Sequence, residues 1–225
     1  NFPVIGHFRY WFLHLGEFFR QYLYSSDREE MPFNRAQRTW VYRAAKNVDN
    51  TGAFGSSRDL RGEGVPFFVN APFPNLGEDH VEPVPVTIGP HARQPYSHAA
   101  FFNISAMSFG ALSAPAVRAL SRGAAKAGIW MDTGEGGLAP YHLEGGCDII
   151  FEIGTAKYGV RTPEGKLDDD KLLAICAHEQ VKMVSIKLGQ GAKPGMGGLL
   201  PGAKVTAEIA AIRGIPVGED SQSPN

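Results

Sequence analysis

Apolar positions follow two rhythms along the chain. In the first, Val4, Phe8, Trp11, Phe12, Leu15, Phe18, Phe19 and Tyr22 recur three or four residues apart, which is the spacing of one helix face. The pattern predicts an amphipathic helix with an aromatic face, expected to pack on the main domain. Docking on a membrane, or on an anchor upstream of Asn1, is the alternative use of the same face. Ser25 to Arg43 is polar, and its arginines are expected to be solvated or paired with Asp27, Glu29 and Glu30. Gly52 to Gln94 is rich in Pro, Gly and Asn; within it Val65–Val69 and Val84–Ile88 predict short strands. Pro66 and Pro85 restrict both to sheet edges or extended coil.

The second rhythm starts near Ala99 and alternates strand, loop and helix. Phe101–Ala106 predicts a buried strand. A helix follows, with Ser113 as N-cap, Pro115 in its first turn, an apolar stripe of Val117, Leu120 and Ala124, and Gly128 as its stop. Ile129–Met131, Ile149–Ile153 and Val181–Leu188 predict further strands. Leu167–Glu179 and Lys204–Arg213 predict helices, the first opening on Asp168, Asp169 and Asp170, whose charges suit its positive end. Repeated βα units imply parallel strands with right-handed crossovers. About four such units fit, whereas a closed eightfold barrel needs roughly 250 residues. The expected fold is α/β: a helical and irregular N-terminal cap over residues 1–97, then the first half of a TIM (β/α)8 barrel over 98–225.

Composition narrows this little. The 43% hydrophobic content suffices for one core. A net charge of -1 gives no electrostatic reason to expect nucleic acid or an anionic membrane surface as the main partner. Cys147 and Cys176 suit a reducing compartment and are expected to be buried small apolar residues; they form neither a disulfide framework nor a metal-ligand cluster. No run of about 18 uncharged apolar residues occurs. Arg9, Glu17 and Arg20 interrupt the apolar segment Phe2–Leu23, which also lacks a signal-peptide cleavage site. A start at Asn1 rather than Met is read as a piece of a longer protein.

Candidate chemistry sits in three glycine-rich segments, each after an apolar run: Ser105-Ala106-Met107-Ser108-Phe109-Gly110, Thr133-Gly134-Glu135-Gly136-Gly137, and Lys187-Leu188-Gly189-Gln190-Gly191-Ala192-Lys193-Pro194-Gly195. Glycine lets a backbone approach a flat or anionic ligand closely. Polar residues at successive strand ends are how an α/β barrel builds one site. Lys187 and Lys193 either neutralise developing negative charge in a semi-buried site or snorkel to the surface. His142 and His178 have no metal-ligand partner at useful spacing and are read as surface or capping residues. No Ser-His-Asp grouping or Walker loop is read.

These segments, with Lys157-Tyr158-Gly159-Val160 and the run on to Pro201-Gly202, resemble the FMN-binding domain of glutamate synthase, and more closely the shorter FMN-binding glutamate synthase family proteins. Pro32-Phe33-Asn34-Arg35 resembles their leader. The resemblance implies FMN at the C-terminal ends of barrel strands, with Ser105, Ala106 and Met107 lining the flavin and Thr133 and Gly134 at the next strand end. It places Glu152 near the flavin and Lys187 and Gln190 on its pyrimidine side. It matches Lys193 and Arg213 to the basic residues holding a 2-oxoglutarate dicarboxylate, and puts Glu135 among the catalytic residues. The implied reaction reduces an imino acid, formed from 2-oxoglutarate and ammonia, to glutamate.

The chain departs from the family at Leu199, where a Gln is usual, at Met196, where a Glu is usual, and at Glu152, where a Gln is usual. Leu199 cannot hydrogen-bond a carboxylate, so other chemistry on the same barrel, such as 2-hydroxy acid oxidation, is the alternative. A non-catalytic, membrane-associated module is the third reading. Any iron–sulfur cluster would come from sequence beyond residue 225. The expected partners are a small keto or amino acid and an electron-donor protein or reductase. The expected location is the cytoplasm, with membrane association through a segment upstream of Asn1.

Overall fold

Residues 3–24, 28–48, 55, 59–66, 69–79, 81–191 and 198–224 are described by the computed structural model. The chain divides into two units, Asn1–Pro74 and Asn75–Asn225. Residues 75–97, expected in the cap, therefore pack with the second unit.

In the first unit, α1 (Pro3–Phe19) runs into a π-helical turn, Arg20–Tyr24. Ile5, Tyr10, Trp11 and Phe12 are all exposed. A second helix, α2 (Arg35–Lys46), lies in the stretch read only as polar. Its start is a capping box: the Gln37 N–H donates to Asn34 Oδ1 at 3.0 Å, and the Asn34 N–H donates to Gln37 Oε1 at 2.9 Å. Each bond satisfies a backbone donor that the helix start would leave open. Arg38 pairs with Glu30, as expected for this stretch. Of the expected Val65–Val69 strand, Phe67 and Phe68 lie outside the described residues, and Val65, Pro66 and Val69 are not in a strand.

The second unit opens on an antiparallel ribbon of β1 (Val86–Ile88) and β2 (Tyr96–His98), with Val86 opposite His98 and Ile88 opposite Tyr96. The Tyr96 hydroxyl donates to Asp148 Oδ2 at 2.9 Å. The predicted strand at Phe101–Ala106 shrinks to a single parallel bridge, Ile104 to Met131. Phe101 and Phe102 are exposed, not buried. Helix α3 (Ala114–Ala127) begins after Ser113, carries Pro115 in its first turn and ends at Gly128 in the left-handed region. Val117 and Ala124 on its inner face are fully buried; burying the valine contributes about 1.5–3 kcal/mol.

A parallel sheet follows, in the order β3 (Met131–Asp132), β4 (Ile149–Ile153), β5 (Val181–Ile186). A short helix, α4 (Pro140–Leu143), joins the first two strands. Helix α5 (Asp169–Cys176) joins the second and third and is shorter than predicted; Asp168 caps it by accepting the Lys171 N–H at 3.1 Å. Met131, Ile149 and Phe151 are fully buried and form the base of the core. Cys147 is buried as expected, but Cys176, the last residue of α5, is exposed, and that helix buries none of its residues. Beyond β5, β6 (Gly198–Leu200) and β7 (Ser221–Ser223) pair antiparallel, with α6 (Ala207–Arg213) between them. The result is a mixed α/β unit with a parallel sheet, consistent with part of a barrel. No described helix is long and apolar enough to cross a membrane.

Candidate functional site

Strand alternation decides which side chains meet. Glu152 is opposite Ser185, and Asp132 is opposite Ile150, two residues before Glu152. Partners in register share a face, and so do residues two apart. Asp132, Glu152 and Ser185 therefore occupy one face, while Met131, Ile149 and Phe151 bury the other. The polar face is cross-linked: Ser185 Oγ donates to Asp132 Oδ2 at 3.2 Å, and the Gly134 N–H donates to Asp132 Oδ1 at 2.8 Å.

The loops at the C-terminal strand ends sit side by side. The Met107 N–H donates to Asp132 O at 3.2 Å, and the Lys187 N–H to Ile153 O at 3.0 Å. Ser105 and Ala106 are exposed at the end of their bridge. Gly134 has φ +64°, and a Cβ there would lie 2.8 Å from the Ser108 backbone nitrogen; an L side chain is barred by both conformation and space. Thr133 is fully buried, and its hydroxyl is spent internally: it donates to Gly134 O at 2.9 Å and accepts the Glu152 N–H at 3.0 Å. It thus shapes the loop from within.

His142, read as a surface or capping residue, caps α4 but is fully buried. Its Nδ1 accepts the Ala139 N–H at 3.1 Å, which leaves Nε2 to donate to Met107 O at 2.9 Å. Burial pushes its pKa down, so the ring is neutral and locked in one tautomer. The residue holds the 105–107 loop in place.

Glu135 is the hub. Lys187 Nζ donates to its Oε1 at 2.8 Å, and Gln190 Nε2 to its Oε2 at 2.8 Å. Burial pushes the Glu135 carboxyl up, but these two bonds and the lysine charge outweigh it, so the net shift is downward. Gln190 Nε2 also reaches Thr155 Oγ1 at 3.2 Å, while its Oε1 is buried without a hydrogen-bond partner among the described residues.

Arg213 lies on the other side of Glu135. It is 6% exposed. Nη1 donates to Ser221 Oγ at 2.7 Å, Nη2 to Phe109 O at 3.3 Å, and the guanidinium lies 5.2 Å from the Tyr158 ring centroid. Nε has no partner, and no described carboxylate pairs with it. A Cβ at Gly136 would come within 3.2 Å of Nη2, so that glycine makes room for the guanidinium. Burial pushes the Arg213 pKa down from its ordinary value. Arg213, Glu135, Ser108, Leu199, Lys204 and Ser223 line a cavity of about 320 Å³, within the size range of small-molecule sites.

Thus Met107, Gly134, Glu135, Glu152, Lys187 and Gln190 gather at neighbouring strand ends, with Arg213 across Glu135. Lys193 lies outside the described residues, as does Met196. Ser221 and Ser223 were not singled out in the sequence, and Asp132, the first residue of its glycine-rich strand-end segment, was given no role there. Asp132 had a signal, since it ends the strand before Thr133; the two serines had none, because only the β6–β7 pairing brings them to Arg213. Among the described residues no group of three or more His, Cys, Asp or Glu could hold a metal ion.

Residues 76–225 match the family described as the conserved region in glutamate synthase. The whole chain aligns over 264 residues, at 37% identity, with half of a Bacillus subtilis protein named glutamate synthase large subunit-like protein YerD. Over 120 residues, 53% of this chain and 21% of the relative, it is 41% identical to a Dehalococcoides mccartyi protein named archaeal-type glutamate synthase [NADPH]. An Archaeoglobus fulgidus protein named archaeal glutamate synthase [NADPH] is 42% identical over the same length. The α/β unit and its strand-end loops therefore belong to the glutamate synthase family. The chain spans from about a fifth to half the length of these relatives.

Proposed function

We propose that this chain forms the first part of an FMN-binding (β/α)8 barrel in an oxidoreductase of the glutamate synthase type, acting on a keto acid that carries at least one carboxylate. The observation that carries this reading is Arg213, a buried guanidinium facing a small-molecule cavity; among the described residues no carboxylate is bonded to it, and Glu135 across the cavity acts on it only through its charge. Burying a charge costs several kcal/mol unless it is paired. An anionic ligand supplies that pair and accepts two parallel hydrogen bonds from a guanidinium. Continuation of the barrel is supported by β5, the outer strand of the sheet, whose Val184 and Ile186 are exposed and apolar.

The residues present fit a flavin. Glu152 Oε1 and Gln190 Oε1 are buried without a hydrogen-bond partner among the described residues, and Lys187 supplies a positive charge near them. FMN, when bound, supplies hydride chemistry. The chain's own residues bind and position the reactants. Lys187 favours negative charge on an adjacent ring. Arg213 and, in this reading, Lys193 hold the keto acid by its carboxylates. Glu135 lines the same cavity and stays ionised. The proposed net reaction condenses 2-oxoglutarate with ammonia, releasing water, and adds hydride and a proton to the imine to give glutamate.

The test uses the full-length protein. It should purify with flavin absorbance, and anaerobic reduction should bleach it. Adding 2-oxoglutarate with ammonium should then restore the colour. Flavin that reoxidises only with oxygen, or a protein without flavin, would overturn the reading.

A further inference from the structure

Glu152 stands apart from the other acids of the polar face. It is 9% exposed, and its Oε1 is buried with no hydrogen-bond partner among the described residues. Its backbone is fixed by the Thr133 hydroxyl at 3.0 Å and by strand pairing to Ser185, so the side chain cannot escape by moving the strand. The charged groups around it are Asp132 at the end of β3, Glu135 in the following loop and Lys187 just past β5. The single cation is already bonded to Glu135 at 2.8 Å. Asp132 is satisfied by Gly134 and Ser185. Glu152 is thus the acid of this face whose buried Oε1 is left without a donor.

A buried carboxylate with no donor is costly, whereas a neutral carboxylic acid presents one donor and one acceptor. That pair complements the alternating carbonyl and N–H groups of a cyclic imide, the polar edge of a flavin ring. We infer that Glu152 is a neutral carboxylic acid that pairs with the imide edge of bound FMN, so that cofactor retention depends on one proton held by this side chain. The inference rests on the proposed flavin site. The electrostatics agree: burial first, then repulsion from Asp132, raise the Glu152 pKa against the attraction of Lys187, with Glu135 adding to the rise. Raising the pH ionises Glu152, removes the donor and weakens the complex.

The experiment titrates FMN back into the flavin-free full-length protein, wild type and Glu152→Gln, following flavin fluorescence. As the pH rises above the ordinary carboxylate range, the wild-type Kd should rise by up to about tenfold per unit, the limit for one linked proton. Glu152→Gln keeps a neutral donor and acceptor, and its Kd should stay flat. Equal pH dependence in the two proteins would overturn the inference while leaving the flavin site intact. No FMN binding by wild type at any pH would overturn both. An independent readout is the infrared carbonyl band of a protonated buried carboxyl in the flavin-free wild type. It should persist above the ordinary carboxylate range, disappear as the pH rises further, and be missing from Glu152→Gln. Its absence from wild type would also overturn the inference, even if the variant fails to fold.

Discussion

Arg213 and Arg118 belong to the same unit but are solvated in opposite ways. Arg118, on α3, donates from Nη2 to Glu144 Oε1 at 2.9 Å and from Nε to Oε2, a two-pronged pair at the surface. Arg213, at the end of α6, is buried against Tyr158 and bonds only to a serine hydroxyl and a backbone carbonyl. Lys187 lies between these extremes, partly buried and paired with one carboxylate. The surface of α3 thus places a cation where a protein carboxylate and water satisfy it, and the end of α6 places one in a buried site with only neutral acceptors bonded to it. A fold selected only for stability gains nothing from the second arrangement, because apolar replacement of buried charge is often neutral or stabilising.

The sharpest way to break this contrast is Arg213→Met. The side chain keeps most of its length and loses its charge. Two hydrogen bonds from a charged donor are lost, about 1.5–3 kcal/mol each, while the desolvation cost of the guanidinium is relieved. These oppose one another, so stability should stay within about 2 kcal/mol of wild type. Catalysis should not be spared. The apparent KM for a dicarboxylate should rise at least about 100-fold, as loss of a charged pair implies, with flavin content unchanged. Large destabilisation with normal kinetics would make Arg213 a structural residue and cancel the contrast.

Lys187→Met probes the intermediate case. It leaves Glu135 partly buried with Gln190 and the Ser223 hydroxyl as its side-chain donors and should lower stability near neutral pH by about 1–2 kcal/mol. FMN retention through gel filtration should also fall. The pH dependence carries a definite sign. The Glu135 carboxyl has a folded-state pKa below its ordinary value. Its contribution is therefore present above the ordinary carboxylate range and is lost as pH falls through the folded value. Wild-type and variant unfolding midpoints should converge as the pH falls below the ordinary carboxylate range and through the folded value. A constant gap across that range would show that the pair contributes through packing rather than charge.

Much of this site could be read before the fold was seen. Gly134, Glu135, Lys187 and Gln190 announce themselves because glycine and polar residues interrupt apolar runs at strand ends, which is a local signal. The core stripe of α3 was equally plain, since its period, first-turn proline and terminal glycine agree. Other features were invisible for physical reasons. The α2 capping box uses Asn34 and Gln37 in a segment whose surface polarity masks its helical period. The β6–β7 ribbon joins Leu199 to Gln222, a pairing that nothing local encodes. Phe101 and Phe102 looked like core because of their size, but the chain there makes one bridge and turns them outward. His142 was passed over because its value lies in two backbone partners at Ala139 and Met107, neither of which its neighbours in sequence reveal.

The smallest expected effect completes the series. Glu144→Gln removes the charge facing Arg118 while keeping the shape. The Arg118 bond holds the Glu144 carboxyl below the usual range, a shift that taken alone reads as a large contribution. Both groups are solvated, however, and exposed pairs lose most of their Coulomb gain to water, to salt and to the entropy of fixing two long side chains. The remaining gain is further reduced because Arg118 also rests on the Tyr141 ring, 5.0 Å from its centroid, a contact the variant keeps. The thermal midpoint of Glu144→Gln should match wild type at physiological ionic strength, with any difference appearing only at low salt. A salt-independent drop as large as that of Lys187→Met would mean that the helical surface and the strand ends use charge in the same way, and the contrast drawn from Arg213 would no longer point to a ligand.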